Sequence, residues 1–267
     1  MAPSKKSSII TGMLLIALGS YSFINKPGSK DKLATSFAVI ELFTSEGCSS
    51  CPPADELISK IEKESRGKDI YILSYHVDYW NRLGWKDQFS SAAFSKRQNN
   101  YSIWLKLSSV YTPQAIVNGK SEFVGSEEGT LRTAIKKSLS IQSPARIVLS
   151  NIKKLGEKID FRYQIDGIPD NTSLVLALIQ KNAVSKVLRG ENAGRQLSHV
   201  QIVKNIQTIE IRDKHTGEAS ISIPAEVRGN VEIIALLQKN NTGEIIGAAR
   251  SPSGISSKNS GVSQKSK

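Results

Sequence analysis

The sequence predicts an α/β unit followed by an all-β, sandwich-like unit, and three observations carry that reading. Strand and helix patterns alternate from Phe37 to about Ser138. Short segments rich in Val and Ile, separated by turn residues, fill the stretch from Ser143 to Arg250. The two cysteines of the chain, Cys48 and Cys51, sit where the first strand gives way to the first helix. At 267 residues the chain is long enough to bury two modest cores.

The apolar run Phe37–Phe43 reads as a buried strand, Thr44–Gly47 as a turn, and Ser49–Glu64 as a helix with Ala54, Leu57, Ile58 and Ile61 on one face. Pro52 and Pro53 suit the first helical turn, where a missing N–H costs little. Asp69–Tyr75 reads as a second strand, and a helical region around Ser91–Leu107 carries Phe94, Tyr101 and Trp104. In Gln114–Val124 two short strands flank Asn118-Gly119, a hairpin signal because both residues tolerate the positive φ of a type I′ turn. Ser126 is placed to cap a closing helix through about Ser138. Beyond Ser143-Pro144, strand segments near 145–152, 157–166, 173–181, 199–212, 218–223, 230–238 and 244–250 read as an antiparallel sandwich.

Lys5 and Lys6 precede an uncharged, mostly apolar stretch from Ile9 to Ile24. This reads as a secretory signal cleaved after Ser22, or as an N-terminal anchor for which it is short. The expected division is therefore leader 1–24, polar linker 25–36, α/β unit 37–142, β unit 143–251 and a disordered Ser/Lys tail 252–267. Export to the periplasm or the cell exterior follows, with membrane contact only if the leader is retained. The formal charge is +12, of which residues 1–36 hold +4 and the tail +3, leaving +5 on the folded part. No basic run is interleaved with aromatics, so no nucleic-acid partner is expected.

A Cys-x-x-Cys pair at a helix N-terminus is where backbone N–H groups and the macrodipole stabilise a thiolate. A disulfide between them closes so short a loop that it removes little entropy from the unfolded chain, which favours a redox role over a structural one. Cys48, at the mouth of the helix, reads as the outer, attacking thiol and Cys51 as the shielded, resolving one. A Thr112-Pro113 step precedes the Asn-Gly hairpin, and the order of Cys-x-x-Cys, helix, Thr-Pro and hairpin matches the thioredoxin fold.

Glu41–Asp55, with its Cys48-Ser49-Ser50-Cys51-Pro52-Pro53-Ala54-Asp55 core, resembles a secreted, thioredoxin-like family of unknown function. So do His76-Val77-Asp78-Tyr79-Trp80, Leu83-Gly84-Trp85, Tyr111-Thr112-Pro113-Gln114 and Arg189–Val200, which together extend the resemblance from about Phe37 to Arg250. The resemblance implies a thioredoxin-like domain plus a β-rich domain. It implies Cys48 as nucleophile, Cys51 as resolving thiol, Pro113 as a cis-proline beside them and the Thr112 backbone as a rail for an extended substrate. Glu41, seven residues before Cys48, falls near the place of a buried acid that relays a proton to the inner cysteine. Glu46 stands close enough to Cys48 for its charge to raise the thiol pKa, and the Ser49 and Ser50 hydroxyls pull the other way.

Three roles are open for His76: an acid/base group near the dithiol, a metal ligand with Cys48 and Cys51, or an ordinary histidine bonded to Asp78 or backbone. Arg195 and His199 lie in a glycine-bearing loop that either reaches the dithiol or ties the two units together. The expected activity is thiol–disulfide oxidoreduction, without a cofactor, toward protein or small-molecule thiols and disulfides. Two rivals are a soft-metal (copper) protein using Cys48, Cys51 and His76, with His199 a further candidate, and a noncatalytic binding module.

Overall fold

The computed structural model describes Met1 and residues 36–167, 171–211, 215–227, 230–252 and 255–256. The expected leader, the linker up to residue 35 and most of the tail lie outside them. The described residues from 36 onward form one compact unit.

Its strands follow the sequence pattern closely. β1 (Ala38–Thr44) leads to α1 (Pro52–Glu64), β2 (Ile70–His76), a short 3-10 turn at Asn81–Leu83 and α2 (Ala92–Trp104). The hairpin β3 (Gln114–Val117) and β4 (Ser121–Val124) precedes α3 (Glu128–Leu139). Eight strands follow: β5 (Arg146–Leu155), β6 (Lys158–Asp166), β7 (Thr172–Lys186), β8 (Gln196–Glu210), β9 (Thr216–Ser222), β10 (Asn230–Lys239), β11 (Ile245–Arg250) and β12 (Ile255–Ser256). The hairpin turns as its residues dictate: Asn118 and Gly119 have φ of 50° and 65°, and Lys120 N donates to Val117 O at 3.0 Å. α2 is capped by the Ser91 side chain, whereas α3 starts at Glu128 with Glu127, not Ser126, at its cap.

The arrangement of these strands corrects the expected fold class. An α/β thioredoxin-like domain followed by a separate all-β sandwich would give the first four strands a sheet of their own. Instead they share a mixed sheet of order β11-β10-β7-β8-β2-β1-β3-β4, with β12 beside β10, and only β5-β6-β9 form a second sheet. The join is β2 with β8, parallel through Ser74 and Ile202 and reinforced by Ser74 Oγ donating to Val200 O at 2.9 Å. The protein is thus mostly β, built on one continuous sheet.

Burial explains why the two halves fuse. β1 alternates strictly: Ala38, Ile40 and Leu42 pack with α1 and α3, while Val39 and Phe43 face the other way. That second face forms a single core with Val175, Ala177 and Ile179 of β7, Ile234 and Leu236 of β10, and Phe94 and Tyr101 of α2. The opposite faces of β7 and β10 pack on the three-stranded sheet. β2 and β7 are therefore covered on both faces, which is why they read as continuous apolar runs. The sheet also curves enough for its distant turns to meet. Ile245 N donates to Asn118 O at 3.0 Å, and Lys120 pairs with Glu244 at 3.0 Å.

Candidate functional site

Cys48 and Cys51 form a disulfide with Cα atoms 5.4 Å apart, and both residues are fully buried. Cys51 is the N-cap of α1; Pro52 and Pro53 follow it at positions that need no N–H donor. Cys48 stands in the preceding turn, with Cys51 N donating to Cys48 O at 3.2 Å. Ser49 and Ser50, between them, are exposed.

Thr112 and Pro113 lie against this turn, and the bond joining them is cis. Cys48 Sγ is 3.8 Å from Thr112 O and 3.3 Å from Ser50 Oγ, whose hydroxyl also reaches Thr112 O at 3.5 Å. Trp80 holds Thr112 in place, its indole N–H donating to Thr112 Oγ1 at 2.8 Å. The sequence elements Cys48, Cys51, Thr112 and Pro113 therefore meet at one point.

The loop between β7 and β8 completes the site. Asn192, buried, donates from Nδ2 to Glu46 O at 2.9 Å and to Cys48 O at 2.8 Å. The Glu191 carboxylate accepts from Ser49 N at 2.9 Å, and the Ser49 side chain, then this backbone bond, hold its pKa below the usual carboxylate value. Arg195 is exposed, with Nη1 donating to Asn192 Oδ1 at 3.0 Å. The tip of this long hairpin thus straps the cysteine turn.

Beneath the turn lies a buried polar cluster drawn from six segments. Glu46 accepts from Trp85 Nε1 at 2.7 Å and from the Ser185 hydroxyl, and its Oε1 is 3.4 Å from His199 Nε2. Asp55 of α1 accepts from Thr44 Oγ1 at 3.1 Å and lies 3.9 Å from His199 Nδ1. His76 Nδ1 is 2.7 Å from Asp87 Oδ2, which also accepts from Glu46 N. The His76 and His199 rings meet edge to face at 4.7 Å, with Phe89 against both.

Burial pushes the Asp55 pKa up to about 7, despite His199 and the Thr44 bond pulling it down. Burial acts on Asp87 in the same sense, but His76 and the backbone donors of Glu46 and Phe89 prevail and leave its pKa lowered. Among the described residues, His76 Nε2 and both ring nitrogens of His199 have no hydrogen-bond partner.

Glu41 is elsewhere. Alternation along β1 turns it away from α1, into a second buried network. Arg97 Nε donates to Glu41 Oε1 at 2.6 Å, Tyr101 OH donates to Glu41 Oε2, and Arg97 also reaches Gln238 at 3.1 Å. His76 bonds to Asp87 rather than to Asp78, whose carboxylate accepts instead from Ser95 Oγ. Among the described residues no group of three or more His, Cys, Asp or Glu is arranged to hold a metal ion.

Sequence reasoning did not single out Asp55, Asp87, Glu191 or Asn192 as site residues. Asp55 alone carried a local signal, four residues after Cys51 and so on the same helical face. The others reach the turn across 41 to 146 residues of chain.

Residues 39–238 match a family described as a protein of unknown function (DUF1223), and the chain belongs to that family. Its fold is similar to the crystal structure of a protein from Agrobacterium tumefaciens, 30% identical, covering 81% of this chain and 94% of that one with a TM-score of 0.60. This shared, mostly β architecture bears out the correction of the fold class made above. Much weaker likenesses are to a DUF3823 family protein from Bacteroides ovatus (14% identity, 40% and 53% covered, TM-score 0.27) and to a domain of the outer membrane lipoprotein Omp28 from Porphyromonas gingivalis (12%, 40% and 94%, TM-score 0.24). No curated protein matches the chain. No helix among the described residues is long and apolar enough to cross a membrane.

Proposed function

We propose that this protein exchanges disulfides through Cys48 and Cys51, acting after export, where the pair is kept oxidised. The observation that carries the reading is the convergence of Thr112 and Ser50 on a disulfide between residues three apart at the start of α1. A bridge that closes so small a loop contributes little to stability. The Ser50 hydroxyl, 3.3 Å from Cys48 Sγ, can donate to a sulfur that changes charge.

From the oxidised form, a substrate thiolate attacks Cys48 Sγ. A substrate–Cys48 bond forms, the Cys48–Cys51 bond breaks, and Cys51 leaves as a thiolate that takes up a proton. A second thiol of the same substrate then attacks the substrate sulfur, loses its own proton and releases Cys48. Two electrons and two protons pass from a dithiol substrate to the chain, and the reverse sequence oxidises the chain again. Because both cysteines are buried, attack on Cys48 requires the turn to open, and the bonds from Glu191 and Asn192 to that turn hold it closed. Asp55, four residues beyond Cys51 on the same helical face and half-ionised near neutral pH, is suited to hold the proton that Cys51 receives.

The test mixes the oxidised full-length chain with a reduced dithiol peptide and quantifies peptide disulfide by mass. One equivalent per chain is expected, with none from Cys48→Ser or Cys51→Ser. Transfer no faster than in buffer, with the native protein still oxidised, would refute the reading.

A further inference from the structure

Three loops meet around the disulfide, and their outer faces have no part in the chemistry above. The backbone of Gly190 packs on the Trp80–Trp85 loop so closely that a Cβ there would stand 3.2 Å from Trp85 Cβ and 3.7 Å from Leu83 O. The neighbouring Glu191 binds the cysteine turn. The segments 79–88 and 184–198 therefore form one rim beside Ser49 and Ser50.

This rim has a distinct chemistry. It presents Arg82, Lys86, Lys186, Arg189 and Arg195, all exposed, and among the described residues none of them pairs with a carboxylate. Against them stand Asp87, buried on His76, and Glu191, held by Ser49 N. Along the same rim three aliphatic side chains stay in water: Leu83 is 49%, Val184 is 59% and Leu188 is 66% exposed. Two exposed leucines beside unpaired arginines fit a partner that brings both apolar and negatively charged side chains. Nucleic acid fits poorly, because the rim's cations are not interleaved with fully exposed aromatic rings: Tyr79, Trp80 and Trp85 are each partly buried, and the two indole N–H groups are bonded to Thr112 and Glu46.

We propose that the 79–88 and 184–198 loops form a docking rim for an acidic, leucine-bearing segment of a protein that carries the reacting thiol or disulfide. This rests on the exchange reading above and names its substrate class. Steering by Arg82 and Arg189 raises the local concentration of such a segment at Cys48, and Leu83 and Leu188 lose water when it docks.

The test reads mixed-disulfide formation between the oxidised full-length chain and short single-cysteine peptides, with Leu beside the cysteine and either glutamates or lysines around it. In that step the peptide sulfur bonds to Cys48, Cys51 departs as thiolate, and the proton lost by the peptide thiol is taken up by Cys51 or solvent. Each rate is divided by the same peptide's rate with hydroxyethyl disulfide, which removes differences in intrinsic thiol reactivity. The acidic peptide is expected to be about tenfold faster than the basic one in low salt, and the gap to close at about 0.5 M salt.

In R82E/R189E the ratio should fall to one or below, while the rate with neutral 2-mercaptoethanol stays as in the wild type. A ratio near one in the wild type, or a preference that survives the double substitution, overturns the inference. Charge-dependent binding to anionic phospholipid vesicles with no peptide preference would assign the rim to a membrane and overturn it equally. If 2-mercaptoethanol itself fails to open the native disulfide, the exchange reading falls first and takes this inference with it.

Discussion

Asn192→Ala isolates the strap. In the closed site, Asn192 Nδ2 satisfies two buried carbonyls, those of Glu46 and Cys48, at 2.9 and 2.8 Å. Removing the donor leaves both carbonyls without it, a loss of about 2 kcal/mol from the closed arrangement at typical hydrogen-bond values. If a thiol reaches Cys48 only through the open strap, the same energy multiplies the open population about 30-fold. The assay is the rate at which dithiothreitol reduces the disulfide in the native protein, followed alongside amide exchange of residues 187–195. Faster exchange of those amides and a reduction rate raised by about 30-fold are expected. Amide protection lost with no change in reduction rate would refute the gating argument.

Other outcomes follow from neighbouring contacts. Glu191→Gln removes a carboxylate from the backbone N–H beside Cys48, so the Cys48 thiol pKa should fall and the reduction potential rise; thiolate absorbance and redox titration read the two shifts. Asp55 titrates near 7 when folded and near 3.8 when unfolded, so the folded state binds the extra proton between these values and stability must fall as pH rises from about 4 to 7. Asp55→Asn should flatten that decline in urea unfolding measured across the range, and its stability should not track the wild type. Glu41→Gln strands buried Arg97 and should cost about 3–5 kcal/mol in denaturant unfolding, while leaving the exchange rate of the folded fraction unaltered. An exchange defect without destabilisation would return Glu41 to the site.

The local structure was legible because its signals are local. The period-2 alternation of β1, the prolines opening α1 and the Asn118-Gly119 turn each depend on residues a few positions apart. So did the meeting of Cys48 with Thr112, which follows from the order of motifs. Sheet membership was not legible. Nothing in Ser74 announces that β2 will pair with Ile202 of β8 rather than remain at an edge, and that pairing turns the expected two domains into one sheet. Glu41 shows the same limit: its distance from Cys48 in sequence suggested a proton relay, but strand alternation turns it toward Arg97 and Gln238. Asn192 and Glu191 reach the cysteine turn from more than 140 residues away, and only the length of the β7–β8 hairpin brings them there.

The most direct test of the account is the reduction potential of Cys48–Cys51 in the intact native chain, measured by thiol trapping across glutathione and dithiothreitol buffers. A reversible two-electron titration with the fold retained is expected, at a potential above about −300 mV, the range of exchanging rather than structural disulfides. A pair that stays oxidised below that potential, or that is reduced only as the protein unfolds, would contradict it.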